Sequence, residues 1–323
     1  VGGMQSILGA IVTGITGSGT ITINQTDTVT VGTSSVGLTL TFTTAPVTLD
    51  GALSVIGKAS TASSQSFTGV NIGLGASTIT VTPGTSSTAT LALGALARPV
   101  NTYAFPGINV SGTPASNAAT AYATNFGVVD FGTTGTITTS AANVNGILGA
   151  YATVAGNDWA AVTAGTVGAY AAYTSGLPAS ASTATANYVD TSTGVTLTAS
   201  ESVNTLKFAP ATTAATFALG TNVLTVGGSG LLMSSASAAG VTISGGGSLQ
   251  AGNVPGASDL VVYQNSASQT LTISSVIANN ATAVSSVSSA SHLPCSPSTR
   301  APARAARCSS RSARARISPI RSS

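Results

Sequence analysis

The residues of this chain that can carry acid–base, nucleophilic or metal chemistry are few and unevenly placed. Before residue 290 the acids are Asp27, Asp50, Asp130, Asp158, Asp190, Glu201 and Asp259, and the bases are Lys58, Arg98 and Lys207. The one histidine, His292, and both cysteines, Cys295 and Cys308, lie beyond that point. A Ser–His–Asp or Cys–His site needs an imidazole to shuttle the proton, so the body of the chain excludes that chemistry. A zinc site meets the same obstacle. Glycan cleavage needs two carboxylates, or a carboxylate with a basic partner, gathered in a groove. Two stretches do set an aromatic beside a carboxylate, as a sugar-gripping surface does: Asp158 adjoins Trp159, the only tryptophan, and Tyr188 lies close to Asp190. These four are the candidate carbohydrate contacts, against the plainer reading of a turn whose indole covers an edge of the fold. Glu201 and Lys207 read as a surface ion pair; with Asn204 they also supply the residue types of an internal isopeptide crosslink. No residue qualifies as a catalytic group, a cofactor ligand or a metal ligand. The glycine run at Gly227–Leu232 has Leu where a calcium-binding repeat carries Asp, and none of the glycine runs has the Lys-Ser/Thr ending of a phosphate loop. Isolated aspartates suit turn capping.

The elements that must position these residues are short strands. Apolar and hydroxyl residues alternate in Thr20–Ile23, Thr28–Val31, Leu38–Phe42, Ser77–Val81, Gly194–Thr198, Val223–Val226, Val241–Ile243 and Thr270–Ile273. Successive side chains of a strand point to opposite faces, so Ile, Val, Leu and Phe go inward while Thr, a β-branched residue at home in strands, faces out. Glycine-rich corners punctuate the runs at Gly14–Gly19, Gly227–Gly230 and Gly245–Gly247. Ala-rich stretches such as Ala160–Ala172 lack the charged face of an amphipathic helix. Charged residues are only 5% of the chain, against about 25% in an ordinary soluble domain. Mean hydropathy is +0.41, yet no run approaches the ~20 apolar residues of a membrane helix, so no transmembrane segment is expected.

Repeated strand–corner units fit a sandwich, a barrel or a solenoid. Small, uniform aliphatic residues and an aromatic content of 5% favour stacked ladders, and the unit recurs with no evident long-range pairing, as in a quasi-one-dimensional fold. The expected fold class is all-β, a parallel β-solenoid. Rungs of roughly 20–25 residues predict about a dozen coils and, at ~4.8 Å per strand, a rod about 60 Å long.

From Asn143 onward the segments fall in a suggestive order. NVNGILGAYATVAGNDWAAV (143–162) precedes ESVNTLKFAP (201–210) and LTVGGSGLLM (224–233), then VTISGGGSLQAG (241–252) and DLVVYQNSASQTLTISSVIANN (259–280). This series resembles the autotransporter-associated β-strand repeat proteins of Gram-negative bacteria. Residues 1–142 share the style more loosely, with FGTTGTITTS (131–140) placed where that family carries a strand. The resemblance implies a right-handed parallel β-helix displayed on, or released from, the outer membrane. It implies a C-terminal barrel or other anchor lost from this chain, and it assigns no catalytic residues.

Three regions follow: 1–142 as a β-strand repeat region, 143–283 as the family-like repeats, and 284–323 as a tail. In the tail alternation stops, acids vanish, and Arg300, Arg304, Arg307, Arg311, Arg314, Arg316 and Arg321 appear. Without it, three bases against seven acids leave the body at −4, although the whole chain is +3. A basic arm for nucleic acid is one reading. A stretch of GC-rich DNA read out of frame is the preferred one, and no nucleic-acid partner is expected. The tail has too little apolar content to offset ordering entropy, so disorder is expected. The chain begins at Val1 with no export signal, which reads as a fragment whose beginning is missing.

The functional expectation is an exported, non-catalytic stalk or adhesin at the cell surface. It has no cofactor, and its partners are extracellular polysaccharide, matrix or neighbouring cells. One alternative is a β-helix polysaccharide lyase, hydrolase or carbohydrate-binding solenoid. Another is an ice-binding solenoid built on the T-x-T pairs Thr20/Thr22, Thr28/Thr30, Thr39/Thr41, Thr78/Thr80 and Thr196/Thr198, which demands a flat lattice aligned over at least four rungs.

Overall fold

A computed structural model describes residues 46–49, 51–73, 75–98, 127–252 and 258–278. It also describes the strands Thr22–Ile23, Thr28–Val31, Thr41–Phe42, Asn101–Ala104, Ala121–Thr124 and Ser285–Ala290. Every regular element among these is a β-strand, and most pairings are parallel. The basic stretch from residue 291, with His292 and both cysteines, lies outside the described residues, as do Asp27 and Asp50.

The N-terminal strands pair in three sheets, and the chain visits them in turn. Val47–Leu49, Ala52–Ile56 and Ser63–Phe67 are followed by Gly69–Ile72, Ala76–Thr82 and Ala89–Ala92, each of which pairs in parallel with its counterpart in the preceding set. Registers advance by near-constant steps: Thr28 lies opposite Ala52, Ala52 opposite Thr78, and Ser63 opposite Ala89. The cause is visible in single strands. Ala76–Thr82, ASTITVT, buries every second residue, so Ile79 and Val81 point inward and stand beside Leu53 and Val55 of the neighbouring strand. Phe131 and Val154 extend the same inward row. One core holds this array, from Val47 to Ala160.

After Leu96 the period is broken. An antiparallel pair, Asn101–Ala104 with Ala121–Thr124, intervenes, and Val128–Phe131 then pairs directly with Ala76–Thr82. Ala152–Val154 still pairs in parallel with Val128–Phe131, and there the direction changes: Asp158–Thr163 runs antiparallel to Ala152–Val154, and Thr166–Ala169 antiparallel to Asp158–Thr163. Thr166–Ala169 pairs with Thr136–Thr138, so these strands bridge two of the sheets into one nearly closed sheet of 11 strands. The single uniform rod expected from the sequence is therefore interrupted: antiparallel strands close the N-terminal array, and a second array begins after them. The interruption has a physical cause, since a strand that turns back on its neighbour uses the hydrogen-bonding edge that another parallel rung would need.

The second array again stacks parallel strands at matched register, now on two sheets, one of eight strands and one of three, with three inward rows. Leu224 stands opposite Leu249, and Leu249 opposite Ile277. Leu206, Leu231 and Val262 form a second row, and Phe217, Ile243 and Ile273 a third. Their core runs from Leu177 to Val262. Ser285–Ala290 adds a further parallel strand beside Ser258–Gln264, so regular pairing reaches into the start of 284–323, where the loss of alternation predicts a disordered tail.

The two arrays touch through one sheet of the second. In Glu201–Phe208 and Val223–Met233 the final residues are buried on both faces. One face fills the second core. The other, carrying Leu232, Val261 and Tyr263, packs on Val128, Ile147, Ala150 and Trp159.

Candidate functional site

Trp159 lies at the centre of this junction. It sits on Asp158–Thr163, whose residues 159–161 are buried although they are consecutive, because one face meets the first array and the other meets the second. The indole is fully enclosed and meets the Tyr263 ring edge-on, with centroids 5.7 Å apart and planes at 71°. Gly230 passes directly beneath it. A Cβ at that position would stand 2.7 Å from Ala150 Cβ and 2.8 Å from Trp159 Cη2, so close backbone approach, rather than a turn, requires the glycine here. An indole so enclosed offers no open face on which a sugar ring can stack.

Asp158 points along the same seam. Its Oδ1 meets Lys207 Nζ in a salt bridge, with the two side chains only 18% and 9% exposed. Asn157 Nδ2 donates to its Oδ2 at 2.7 Å, and the Tyr173 hydroxyl is hydrogen-bonded to it as well. Tyr173 accepts from the Trp159 backbone N–H at 3.0 Å, and its ring lies 5.2 Å from Lys207 Nζ. Burial raises the Tyr173 phenol far above its ordinary range, and the nearby Asp158 carboxylate adds to the rise. Ser234 Oγ donates to Asn157 Oδ1, which turns the amide nitrogen of Asn157 toward Asp158.

Lys207 therefore pairs across the junction, and the surface pair with Glu201 expected from the sequence does not form. Both residues are buried, and Glu201 instead accepts the Ser182 backbone N–H at 2.5 Å. Lys207 occupies a row whose next members are Leu232 and Tyr263, so its ammonium is set among apolar groups. Asn204 is likewise committed elsewhere: it donates to Asn187 Oδ1 at 2.7 Å and accepts from Asn145 Nδ2 at 2.9 Å. Asn187 in turn donates to the Asn145 carbonyl at 2.7 Å. This amide chain ties the Val144–Ile147 turn to the second array.

The other aromatic–carboxylate pair lies on Asn187–Asp190, in the second array. Tyr188 is buried beside Leu206 and its hydroxyl accepts the Thr183 N–H at 2.9 Å. Asp190 is buried too, accepting from the backbone of Leu177 (3.1 Å) and Ser192 (2.9 Å) and from Ser192 Oγ (2.6 Å). Such a carboxylate holds two turns in place, the capping role that short polar side chains serve. Asp130 does the same for Gly156 N–H and Thr153 Oγ1, at 2.8 and 2.7 Å. Thus Asp158 and Trp159 lie together at the junction, while Tyr188 and Asp190 lie together inside the second array, on a different strand. Among the described residues no three His, Cys, Asp or Glu side chains converge on a point that could hold a metal ion.

The surfaces left to solvent carry hydroxyls. Ser64, Thr90 and Thr136 stand in register on one sheet, and Thr216, Thr242 and Thr272 on another. Among the described residues each of these rows spans three rungs. The row through Ala52, Thr78 and Asp130 mixes alanine and carboxylate with hydroxyl. No family model, no curated protein and no solved structure matches the chain.

Proposed function

We propose that this chain is a passenger-type right-handed parallel β-helix of the autotransporter-associated kind, serving as a non-catalytic stalk or adhesive surface outside a Gram-negative-type cell. The observation that carries the reading is the repeated parallel circuit, in which inward apolar rows such as Leu53–Ile79–Phe131 and Leu224–Leu249–Ile277 recur at matched registers. A circuit of this kind needs no charge to be stable. Its outside can be hydroxyl and amide, which binds through many weak contacts and suits polysaccharide, matrix or a neighbouring cell. The role of the exposed rows rests on analogy at the level of the fold. The carboxylates Asp130, Asp158, Asp190 and Glu201 are each engaged by backbone or side-chain partners within the protein, which supports a structural role for them.

The test is where the chain is found. Antibody raised against the purified chain should label intact cells of the organism that makes it. Microspheres coated with the chain should adhere to that organism's exopolysaccharide, to matrix or to neighbouring cells. Labelling that appears only after permeabilisation overturns the proposal.

A further inference from the structure

Lys207 and Asp158 are far apart in the chain, yet they meet in an enclosed seam whose other walls are the Tyr173 ring, Asn157 and the apolar row of Leu232 and Tyr263. An ion pair held this way gives up much of the hydration that its charges would enjoy in water. The carboxylate carbon is flanked by a primary amine on Oδ1 and by an amide N–H donor on Oδ2. A nucleophile, an acyl carbon and a donor for developing oxyanion charge are thereby assembled.

We propose that Lys207 and Asp158 condense after folding into an internal amide that staples the two strand arrays together. In the first step the ammonium passes a proton to Asp158 Oδ1 along the bond that joins them, giving a neutral amine against a neutral acid. The amine nitrogen adds to Cγ and the C–N bond forms. Negative charge gathers on Oδ2, where Asn157 Nδ2 already donates, as in an oxyanion hole. The nitrogen then gives a proton to the Oδ1 hydroxyl, the C–Oδ1 bond breaks, and water leaves. One amine and one acid become one secondary amide and one water, with no oxidant, reductant or activating group. Tyr173 remains protonated because burial raises its phenol, so it persists as a donor to the acid. Ser234 is a positioning residue, acting through Asn157. The residues before 290 include no cysteine, so the staple occupies the place a disulfide would take, and it stands whether or not the chain serves as a surface stalk.

The test uses the full chain, purified natively and shown to be folded by the blue-shifted emission of its one tryptophan. Its intact mass after denaturation should fall short of the sequence mass by one water. Proteolysis should yield a branched fragment joining the peptides that contain residues 158 and 207. Asp158→Ala and Lys207→Arg should each restore the full mass. A full sequence mass in the folded parent overturns the proposal, and so does a missing water that persists in either variant.

Discussion

Gly230→Ala tests the junction between the two arrays. The added methyl would stand 2.7 Å from Ala150 Cβ and 2.8 Å from Trp159 Cη2, whereas carbons in contact prefer about 3.5–4.0 Å. The arrays must therefore separate by ~1 Å, or the indole must tilt, in a region packed on all sides. Overpacking of this kind costs about 1–3 kcal/mol. At ~2–4 °C per kcal/mol for a chain of this size, the melting temperature should fall by roughly 2–12 °C. Gly168→Ala is the matched control: on the strand Thr166–Ala169, nothing lies within 4 Å of the place its methyl would take, so melting should hold or rise slightly. Trp159 is the only tryptophan and is fully enclosed, which makes its fluorescence a direct reporter of the seam. Gly230→Ala should shift emission to the red and increase quenching by acrylamide. In a Trp159→Phe background, where the outer ring of the indole is gone, the added methyl should cost less. If Gly230→Ala melts with the parent and leaves emission unchanged, the packing described for the junction is wrong.

Three further outcomes are expected. Ile243→Asp places a charge in the row between Phe217 and Ile273 at a fully buried site, and should cost about 4 kcal/mol or more, read as a lost or much lowered melt by circular dichroism. Asn187→Ala removes the partner of Asn204 Nδ2, Thr205 Oγ1 and the Asn145 carbonyl, and should lower stability by about 1–3 kcal/mol in urea titration. Burial raises the phenols of Tyr151, Tyr173 and Tyr263 above the ordinary value of 10.0. The folded state then holds their protons more tightly than the unfolded state, so stability is full below pH 10.0 and falls as pH rises beyond it; urea midpoints at about pH 8 and about pH 11 should differ in that sense.

Much of the strand pattern was legible in the sequence. Ser77–Val81 and Val241–Ile243 each have one wet and one dry face, and alternation reports that directly. The junction was not legible, for the same reason. Where both faces are covered, Gly230–Met233 reads as a continuous apolar run, whereas Thr205–Phe208 still alternates as Thr-Leu-Lys-Phe although all four residues are buried, so Lys207 reads as a surface residue until its partner is known. That partner, Asp158, comes from the array-closing strands 49 residues away, a pairing that no local spacing encodes. Tyr188 and Asp190 share a face because they are two residues apart, but spacing does not say which face; both point inward. The break in the period at Asn101–Thr124 was equally hidden, since a hairpin and a further rung use the same alternating residues.

The central claim is that successive circuits stack in parallel at fixed register, and cross-linking measures it directly. In a Cys295→Ser, Cys308→Ser background, cysteine pairs are placed on the exposed row of Thr216, Thr242 and Thr272. Adjacent rungs are ~4.8 Å apart and alternate rungs ~10 Å, whereas a disulfide spans no more than about 7 Å between Cα atoms. Mild oxidation should therefore join Thr216→Cys to Thr242→Cys, and Thr242→Cys to Thr272→Cys, while leaving the Thr216→Cys, Thr272→Cys pair open. Closure of the outer pair, or failure of both adjacent pairs in folded protein, would contradict the stacking on which the proposed function rests.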